Sequence, residues 1–280
     1  MNTLKGKVSV ITGSTRGIGF ASAKTFAAEG AAVVVSSRSQ SAVDQAVSII
    51  RSAGGNAHGI AADVGKLEDV ERLRDAAIET FGRIDIWINN AGISGTYGPT
   101  IALTADEFSK VIQTNILGVF YGSRTAVRYF QRQGSGKLIN LVGAGAKKPA
   151  PNQNAYGSSK AWVRMFTKAL AEETKENSIG IFTFQPGLVY TDLLRNVDVI
   201  DGYQERLKVF PTVIRLLSKK PEAITPKLVW LASSATDGKT GLEVRAVSTL
   251  SMIVGAAKPL MHKPQPPIEL NLNVISPAAD

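Results

Sequence analysis

Short apolar runs alternate along most of the chain with longer segments of helical period. Runs without polar alternation are typical of strands covered on both faces, and the helices between them would supply that cover. The pattern predicts an α/β fold: a Rossmann-type doubly wound parallel sheet of about seven strands in a single domain. Strands are predicted at residues 8–11, 32–36, 56–61, 84–89, 138–142, 179–184 and 242–247, and helices at 18–29, 41–53, 67–81, 105–130 (broken near Gly118) and 156–176.

The end of the chain differs from the rest in composition. Five of the 12 prolines stand in the final 22 residues, at positions 259, 264, 266, 267 and 277, which argues against a helix or a central strand there. The stretch is nevertheless rich in apolar residues. It is either a disordered tail or an extended arm docked on its own or a neighbouring subunit, and the apolar content favours the arm. We predict a main domain over residues 1–250 and a C-terminal extension over residues 251–280.

Composition argues against several classes of protein. The 280 residues include no cysteine and two histidines, so disulfides and thiolate metal sites are excluded and no metal site is expected. No apolar run approaches the ~18 residues that span a bilayer, and no signal-peptide core precedes the first strand. We expect a soluble, cytoplasmic protein without an integral membrane segment.

The net charge is +9, from 32 basic and 23 acidic residues, and much of it lies between residues 124 and 175. One interpretation is a surface for nucleic acid or an anionic membrane. The other is a set of solvated helix faces whose field attracts a phosphate-rich cofactor. The sequence has no basic run with interleaved aromatic residues, so the second interpretation is favoured and no nucleic-acid partner is expected.

A glycine-rich turn, residues 12–19, joins the first predicted strand directly to the first helix. Its glycines allow a tight turn, close approach of the backbone to a pyrophosphate, and close packing of helix on strand; the helix N-terminus then faces the anion. In this context the turn predicts a dinucleotide site. Its cofactor-binding residues would be Gly13, Thr15, Arg16, Gly17, Ile18 and Gly19.

The residues at the end of the second strand indicate which dinucleotide is bound. NAD sites usually place an acid there to hold the ribose 2′-hydroxyl. Here the segment is Ser36-Ser37-Arg38-Ser39, without a carboxylate. Arg38 can pair with a 2′-phosphate, and Arg16 can reach the same phosphate from the glycine-rich turn. The sequence therefore predicts NADP(H).

Tyr156 and Lys160 lie four residues apart at the start of a predicted helix, and therefore on one face. A lysine ammonium beside a tyrosine stabilises the phenolate and would lower the tyrosine pKa. Such a pair suits general acid catalysis on a carbonyl group.

Six motifs, in order, make residues 5–250 resemble the short-chain dehydrogenase/reductase family. They are the glycine-rich turn, Asp63-Val64, Asn89-Asn90-Ala91-Gly92, Asn115, Tyr156-Gly157-Ser158-Ser159-Lys160, and Pro186-Gly187-Leu188-Val189-Tyr190-Thr191. The resemblance implies catalysis by Asn115, Tyr156 and Lys160, with Tyr156 as the acid/base, Lys160 on the nicotinamide ribose, and Asn115 holding a water. It also implies cofactor contacts from Asp63, Val64, Asn90, Ala91, Gly92, Pro186, Gly187, Val189 and Thr191.

The sequence departs from the family pattern at position 143. A serine normally stands 13 residues before the tyrosine and hydrogen-bonds the reacting oxygen, but here the residue is Gly143, and residues 137–155 contain no serine or threonine and no tyrosine. The alternative donors are backbone N–H groups of residues 143–145, Ser94 and Thr96. With Gly143-Ala144-Gly145 and the segment after Pro186, the chain is similar to the chlorophyll b reductase branch of the family.

Two functions follow as hypotheses. The favoured one is an NADPH-dependent reductase of an aldehyde or ketone, with Tyr156 as general acid; the alternative is a catalytically silent NADP(H)-binding protein with a sensing or assembly role.

Family members commonly pair the helices predicted at 105–130 and 156–176, so a homodimer or homotetramer is expected. The resemblance implies that residues 193–220, the cover segment, lie over the pocket. Their apolar side chains suggest an apolar, bulky substrate, or serve equally well as packing for a lid.

Overall fold

Seven parallel strands form the central sheet of the structure, a computed structural model that describes residues 2–247 and 268–278. The described residues form nine strands in all, of which β7 and β9 lie outside this sheet: β1 (Val8–Ile11), β2 (Ala32–Ser37), β3 (Asn56–Ala61), β4 (Ile86–Asn89), β5 (Gly136–Leu141), β6 (Ile179–Gln185), β7 (Asn196–Ile200), β8 (Glu243–Arg245) and β9 (Asn271–Ile275). The sheet has the order β3-β2-β1-β4-β5-β6-β8. The predicted doubly wound fold is confirmed.

Helices cover both faces of this sheet. They are α1 (Gly17–Ala28), α2 (Gln40–Ser52), α3 (Leu67–Phe81), α4 (Ala105–Ile112), α5 (Gly118–Gln133), α6 (Asn154–Glu173), α7 (Asp192–Arg195), α8 (Phe210–Leu217) and α9 (Thr225–Ala232). One core cluster packs side chains of α1, α2 and α9 on the sheet. A second packs side chains of α3, α5 and α6 on the opposite face. Burial on both faces explains the unbroken apolar runs of the strands.

The strand order reverses between β1 and β4, which lie side by side in the middle of the sheet. In open α/β sheets, ligands bind outside the carboxyl ends of the strands at such a reversal. The glycine-rich turn follows β1 and the motif Asn90–Gly92 follows β4. The topology therefore brings these two segments together.

The predicted break in the helix near Gly118 is present as one π-helical turn, Gln113–Leu117, between α4 and α5. The buried side chain of Asn89 explains why a glycine, Gly122, stands in α5. A Cβ on Gly122 would lie 2.9 Å from Asn89 Cγ and 3.0 Å from Trp87 Nε1. The face of α5 that carries Gly122 and Ser123 is thus fitted to the end of β4, where Asn89 donates to Ser123 Oγ.

Two strands were not expected. The cover segment contains β7, which pairs in parallel with β9 from the C-terminal extension. Polar and apolar residues alternate in both places, but the pairing joins residues 75 positions apart and has no local signal. The seventh sheet strand, β8, has three residues instead of the predicted six. Prolines 259, 264, 266 and 267 lie outside the described residues.

Candidate active site

Three glycines let the glycine-rich turn adopt its backbone conformation and pack closely against its neighbours. Gly13 and Gly17 have φ of +61° and +55°, a left-handed conformation that favours glycine. A Cβ on Gly13 would lie 2.8 Å from Ala91 Cα, and one on Gly19 would lie 2.8 Å from Ser14 Cα. Thr15 is half-buried in the turn, and Ile18 packs against the first core cluster.

The N-terminus of α1 is suited to an anion. Its N-cap residue, Arg16, makes no side-chain capping bond, and the first turn contains no acidic residue. The positive end of the helix dipole and the free N–H groups of the first helical turn therefore face the glycine-rich turn, and no acidic residue of that helical turn competes with an anion. These residues fit the pyrophosphate of a dinucleotide.

Asn90 holds the glycine-rich turn from the neighbouring strand. Its Nδ2 donates to the carbonyls of Thr12 and Gly13, at 2.9 Å each. The N–H groups of Asn90 and Ala91 both donate to Thr12 Oγ1 at 3.1 Å. Both amide hydrogens of Asn90 are thus committed to the backbone of the turn, so this residue shapes the turn.

The two arginines predicted for a 2′-phosphate, Arg16 and Arg38, are both exposed in the structure. Arg38 is exposed just after β2, and it makes no ion pair with any residue that the structure describes. The Arg16 side chain is 75% exposed, and its Nη1 lies 3.7 Å from Asp192 Oδ2 at the start of α7. That exposed pair is worth at most about 1 kcal/mol, so Arg16 can exchange Asp192 for a phosphate. Sequence analysis did not single out Asp192.

The turn after β3 carries the residues expected beside an adenine. Asp63 Oδ1 accepts from Gly65 N at 3.0 Å, and within the described residues its Oδ2 accepts no hydrogen bond. Val64 is buried and packs on the start of α5, where a Cβ on Gly118 would lie 2.7 Å from Val64 Cγ2.

The loop after β6 closes the cofactor groove from the other side. Pro186 and Val189 are buried, while Gly187 is exposed with φ of +79°. Thr191 comes close to the glycine-rich turn: a Cβ on Gly17 would lie 3.2 Å from Thr191 Cγ2. The structure therefore brings the residues predicted from β1, β4 and β6 to one groove.

Asn115, Lys160 and Gly92 converge beside this groove. A Cβ on Gly92 would lie 3.2 Å from Asn115 Oδ1 and 3.4 Å from Lys160 Nζ. Asn115, in the π turn, is fully buried and forms a two-way amide pair with the backbone of Ile93: it accepts from Ile93 N and donates to Ile93 O, at 2.9 Å each. This pair fixes the loop after β4 beside α6, the helix that carries Tyr156 and Lys160.

Ser159 was not singled out from the sequence, yet it connects two of the predicted catalytic residues. Asn115 Nδ2 donates to Ser159 Oγ at 3.1 Å, and Ser159 Oγ donates to the carbonyl of Tyr156 at 2.7 Å. The hydroxyl is fully buried. Its position directly before Lys160 was visible in the sequence, but its two partners come from different elements and only the fold brings them together.

Tyr156 and Lys160 share one face of the first turns of α6. Lys160 Nζ lies 5.6 Å from the centroid of the Tyr156 ring and 3.4 Å from the Leu141 carbonyl. Burial raises the pKa of Tyr156 to about 12 and lowers the pKa of Lys160 to about 8. The sequence argument expected a lowered tyrosine pKa; burial reverses the direction, because it disfavours the charged form of each group. Tyr156 is thereby held in its proton-donating form.

Gly143 provides space for the Tyr156 side chain. A Cβ on Gly143 would lie 3.0 Å from Tyr156 Cζ and closer still to the hydroxyl. Gly145 has a different reason: its φ is +89°, and a Cβ there would lie 2.8 Å from the Gly157 carbonyl carbon. Gly143 thus leaves space for the Tyr156 side chain, and Gly145 lets the loop approach the backbone of α6.

Thr96 is not free to replace the missing hydroxyl. It donates to Glu107 Oε1 at 2.7 Å, and the same carboxylate caps α4 through Thr104. Ser94 is half-buried and makes no hydrogen bond within the part of the chain that the structure describes. Within that part the backbone N–H groups of residues 143–145 also have no partner, while the N–H groups of Val142 and Ala146 do.

Comparison with known proteins places this geometry in context. A family model described as short chain dehydrogenase matches residues 7–199. The chain is 38% identical over 240 residues to 3beta-hydroxysteroid dehydrogenase 1 of Eggerthella lenta, covering 85% of this chain and 91% of that protein. It is 34% identical over 239 residues to the probable chlorophyll(ide) b reductase NYC1, chloroplastic, of Arabidopsis thaliana, covering 79% of this chain and 47% of that protein.

A solved structure supports the fold independently. The 3-ketoacyl-(acyl-carrier-protein) reductase from Brucella melitensis, complexed with NADH, superposes with a TM-score of 0.78 and 30% sequence identity, covering 89% of this chain and 99% of that chain. In the described ranges of this chain, no helix is long and apolar enough to cross a membrane.

Proposed function

Because the chain belongs to the short-chain dehydrogenase/reductase family, whose members are oxidoreductases of alcohol and carbonyl groups, we propose that it is an NADPH-dependent reductase of an aldehyde or a ketone. The observation that carries this proposal is the convergence of Asn115, Lys160 and Gly92 beside the glycine-rich turn. Residues 1–250 would be the NADP-binding catalytic domain and residues 251–280 an extension.

The cofactor preference rests on charge. Arg38 directly follows β2 and Arg16 stands in the turn after β1, and the segment after β2 has no carboxylate to accept from a ribose 2′-hydroxyl. Two guanidinium groups at this position would attract a 2′-phosphate. The remaining contacts follow the groove: Asp63 and Val64 on the adenine side, Ala91 and Gly92 along the middle, and Pro186, Gly187, Val189 and Thr191 on the nicotinamide side.

A bound nicotinamide would supply the hydride that reaches the carbonyl carbon. Tyr156 would donate its phenolic proton to the carbonyl oxygen, since its raised pKa keeps the phenol protonated at neutral pH. The Lys160 ammonium, 5.6 Å from the ring, would stabilise the phenolate that remains and hold the nicotinamide ribose. Asn115 fixes the loop that faces both groups and would hold a water between Lys160 and solvent.

The carbonyl oxygen needs a second hydrogen-bond donor, which a serine supplies in the family pattern. We assign that role to the backbone N–H groups of residues 143–145, because they have no partner within the described part of the chain. Backbone donors are fixed before the substrate arrives and therefore suit the stabilisation of a developing negative charge. Leu193, which is exposed, and the half-buried Leu194 favour an apolar substrate. Other apolar side chains of the cover segment pack instead with one another and with Leu270: Val197, Val199, Tyr203, Leu207 and Phe210.

A catalytically silent NADP(H)-binding protein is the second candidate. It is favoured by one observation, the absence of a hydroxyl side chain from position 143 and its surroundings. A sensing or assembly role would require the dinucleotide groove but not the proton donor. The two candidates therefore differ in whether Tyr156 matters for turnover.

Oxidation of NADPH with a panel of aldehydes and ketones distinguishes them. Tyr156→Phe should lower the rate by about 100-fold or more, the contribution typical of a positioned general acid. Tyr129→Phe, on α5 and outside the groove, is the matched control and should leave the rate unchanged. Equal, near-zero rates in the wild type and Tyr156→Phe would favour the silent protein.

We also propose that the protein forms a homodimer or homotetramer through α5 and α6. Trp162 and Phe166 stack at 4.7 Å on the outside of α6, with Phe120 of α5 at 6.3 Å from Phe166. Met165, on the same helix, is 63% exposed. Apolar and aromatic side chains on neighbouring outer helix faces fit an isologous contact with a second copy.

A further inference from the structure

The strand β9 is joined to β7 along its whole length. Five residues of each strand pair in parallel, from Asn196 opposite Asn271 to Ile200 opposite Ile275. Two side-chain bonds reinforce the ladder: Asn271 Nδ2 donates to Asn196 Oδ1 at 2.8 Å, and Asn273 Nδ2 donates to Asp198 Oδ1 at 2.9 Å. The end of the chain is therefore attached to the cover segment by specific bonds.

The other edge of β7 is held by Tyr97. Tyr97 N donates to Asp198 O at 2.7 Å, and Ile200 N donates to Tyr97 O at 2.9 Å. The neighbouring residue must be glycine here, since a Cβ on Gly98 would lie 2.8 Å from Ile200 Cβ. The strand β7 thus lies between β9 on one side and Tyr97 on the other.

These contacts connect the C-terminal segment, residues 268–278, with loops of the active site. Tyr97 belongs to the loop that starts at Asn90, and Gly98 N donates to the carbonyl of Asn152, four residues before Tyr156. Ala278 N donates to the carbonyl of Ala102 farther along the same loop. An apolar cluster under the strands joins Val197 and Val199 of β7 with Tyr97 and with Leu270 of the C-terminal segment.

We propose that the C-terminal segment is a specificity-determining part of the substrate site. By holding β7 against Tyr97 it sets the width of the cleft outside the carboxyl ends of β4, β5 and β6, and so selects among apolar carbonyl substrates by shape. A ladder of two strands is marginal by itself, and in the described residues the remaining backbone pairing of β7 is confined to Tyr97. This inference rests on the reductase function proposed above.

Two adjacent proline substitutions test the proposal. The carbonyl of Ile275 accepts from Asp201 N at 2.9 Å and therefore faces β7. Backbone groups of alternate residues face the same side of a strand, so Asn273 N–H also faces β7, whereas Val274 N–H faces the opposite edge. Asn273→Pro removes a donor to β7. Val274→Pro removes a donor on the outer edge, where proline is tolerated, and is the matched control.

The readouts are kcat/KM for NADPH-dependent reduction of a steroid 3-ketone and of cyclohexanone, together with the Kd for NADPH. Asn273→Pro should change the ratio of the two kcat/KM values by about fivefold or more, equivalent to ~1 kcal/mol. Val274→Pro should change it by less than about twofold. The Kd for NADPH should be the same in all three proteins, because the described hydrogen bonds of the C-terminal segment go to β7, Asp201 and Ala102 and not to the proposed cofactor-binding residues.

Limited trypsin digestion gives a second measurement that does not require turnover. Cleavage after Arg206 and Lys208 of the cover segment should be faster in Asn273→Pro than in Val274→Pro, since a released β7 opens more often. Equal ratios of kcat/KM in an active wild type and Asn273→Pro, or equal cleavage in the two variants, would overturn the substrate role alone. A wild type that oxidises no NADPH with any carbonyl compound would overturn the proposed function and the substrate role together.

Discussion

The hydroxyl of Tyr156 lies in the space that any side chain at position 143 would enter. Glycine at this position is therefore a packing requirement of the tyrosine as it stands. A serine introduced here would displace the Tyr156 ring before its own hydroxyl could help a substrate.

We therefore expect Gly143→Ser to leave turnover of the best ketone unchanged or lower. A hydroxyl donor that had simply been lost would, when restored, raise kcat by the ~100- to 1,000-fold that one such donor contributes. Ala144→Ser, at the exposed neighbouring position, is the control for added polarity in the loop. A large gain in kcat for Gly143→Ser would show that Tyr156 moves aside without cost and would contradict this prediction.

NADPH should bind about tenfold or more tightly than NADH, a difference of ~1.4 kcal/mol. The reason is the pair of guanidinium groups, Arg16 and Arg38, and the absence of an acid at the end of β2. Arg38→Asp should lose most of the preference, because a carboxylate repels the 2′-phosphate and accepts from a 2′-hydroxyl. Calorimetric titration of both nucleotides measures this; equal affinities in the wild type would refute it.

Ketone reduction should lose rate as the pH rises through about 8. Burial lowers the pKa of Lys160 from 10.5 to about 8, so its ammonium is present below that pH and is lost above it. The phenol of Tyr156, with a pKa near 12, stays protonated across this range and does not contribute to the descending limb. The measurement is kcat/KM between pH 6 and pH 10. In a Lys160→Arg variant that retains activity, kcat/KM should fall at a higher pH than in the wild type. A fall at the same pH in the variant and the wild type would assign the titration to another group.

Ser159 should act as a positioning residue for Asn115 and Tyr156. Ser159→Ala removes one of the two acceptors of the buried Asn115 amide, which keeps Ile93 O, and the second donor to the Tyr156 carbonyl, which keeps its bond within α6. The buried amide hydrogen left unpaired costs about 1–3 kcal/mol. We expect a lower kcat, an unchanged Kd for NADPH, and partial rescue by Ser159→Thr. Ser158→Ala, whose exposed hydroxyl only bonds the carbonyls of its own helix, is the control. Equal kcat values in the two alanine variants would remove the positioning role.

Light scattering at micromolar concentration should give the mass of a dimer or a tetramer. Met165→Glu, on the exposed aromatic face of α6, should shift the mass towards the monomer, because it buries a charge in the contact. Ile49→Glu is the matched control: Ile49 is also exposed, but on α2. A monomeric wild type would contradict the proposed contact.

The sequence was sufficient for the sheet because each strand carries its own signal. The strands β1, β2, β5 and β6 are rich in apolar residues and buried along nearly their whole length. The strand β7 carries a weaker signal, five residues in which Asn196 and Asp198 alternate with apolar ones, and its partner lies beyond β8. Pairing over such a distance depends on tertiary context, which local pattern cannot supply.

Part of the geometry of the candidate site was predictable from the sequence, whereas its contacts were not. The spacing of Tyr156 and Lys160 places both on one face of α6, as expected. The reason for Gly143 depends on a distance between a loop and a helix, and the commitment of Thr96 to Glu107 depends on where α4 begins. The prediction of a lowered pKa for Tyr156 was wrong for the same reason, because burial is a property of the assembled site.

The π turn between α4 and α5 holds one residue more than an α-helical turn would. Its five residues, Gln113–Leu117, complete about one wider turn, so the extra residue is absorbed there and α5 keeps nearly the rotation of a plain helix. Gly122 and Ser123 therefore still face Asn89. What the extra residue sets is the place of Asn115, whose amide pairs with Ile93 from within the turn. Relatives that keep this asparagine pair should therefore tolerate changes of residue type in the turn far better than changes of its length.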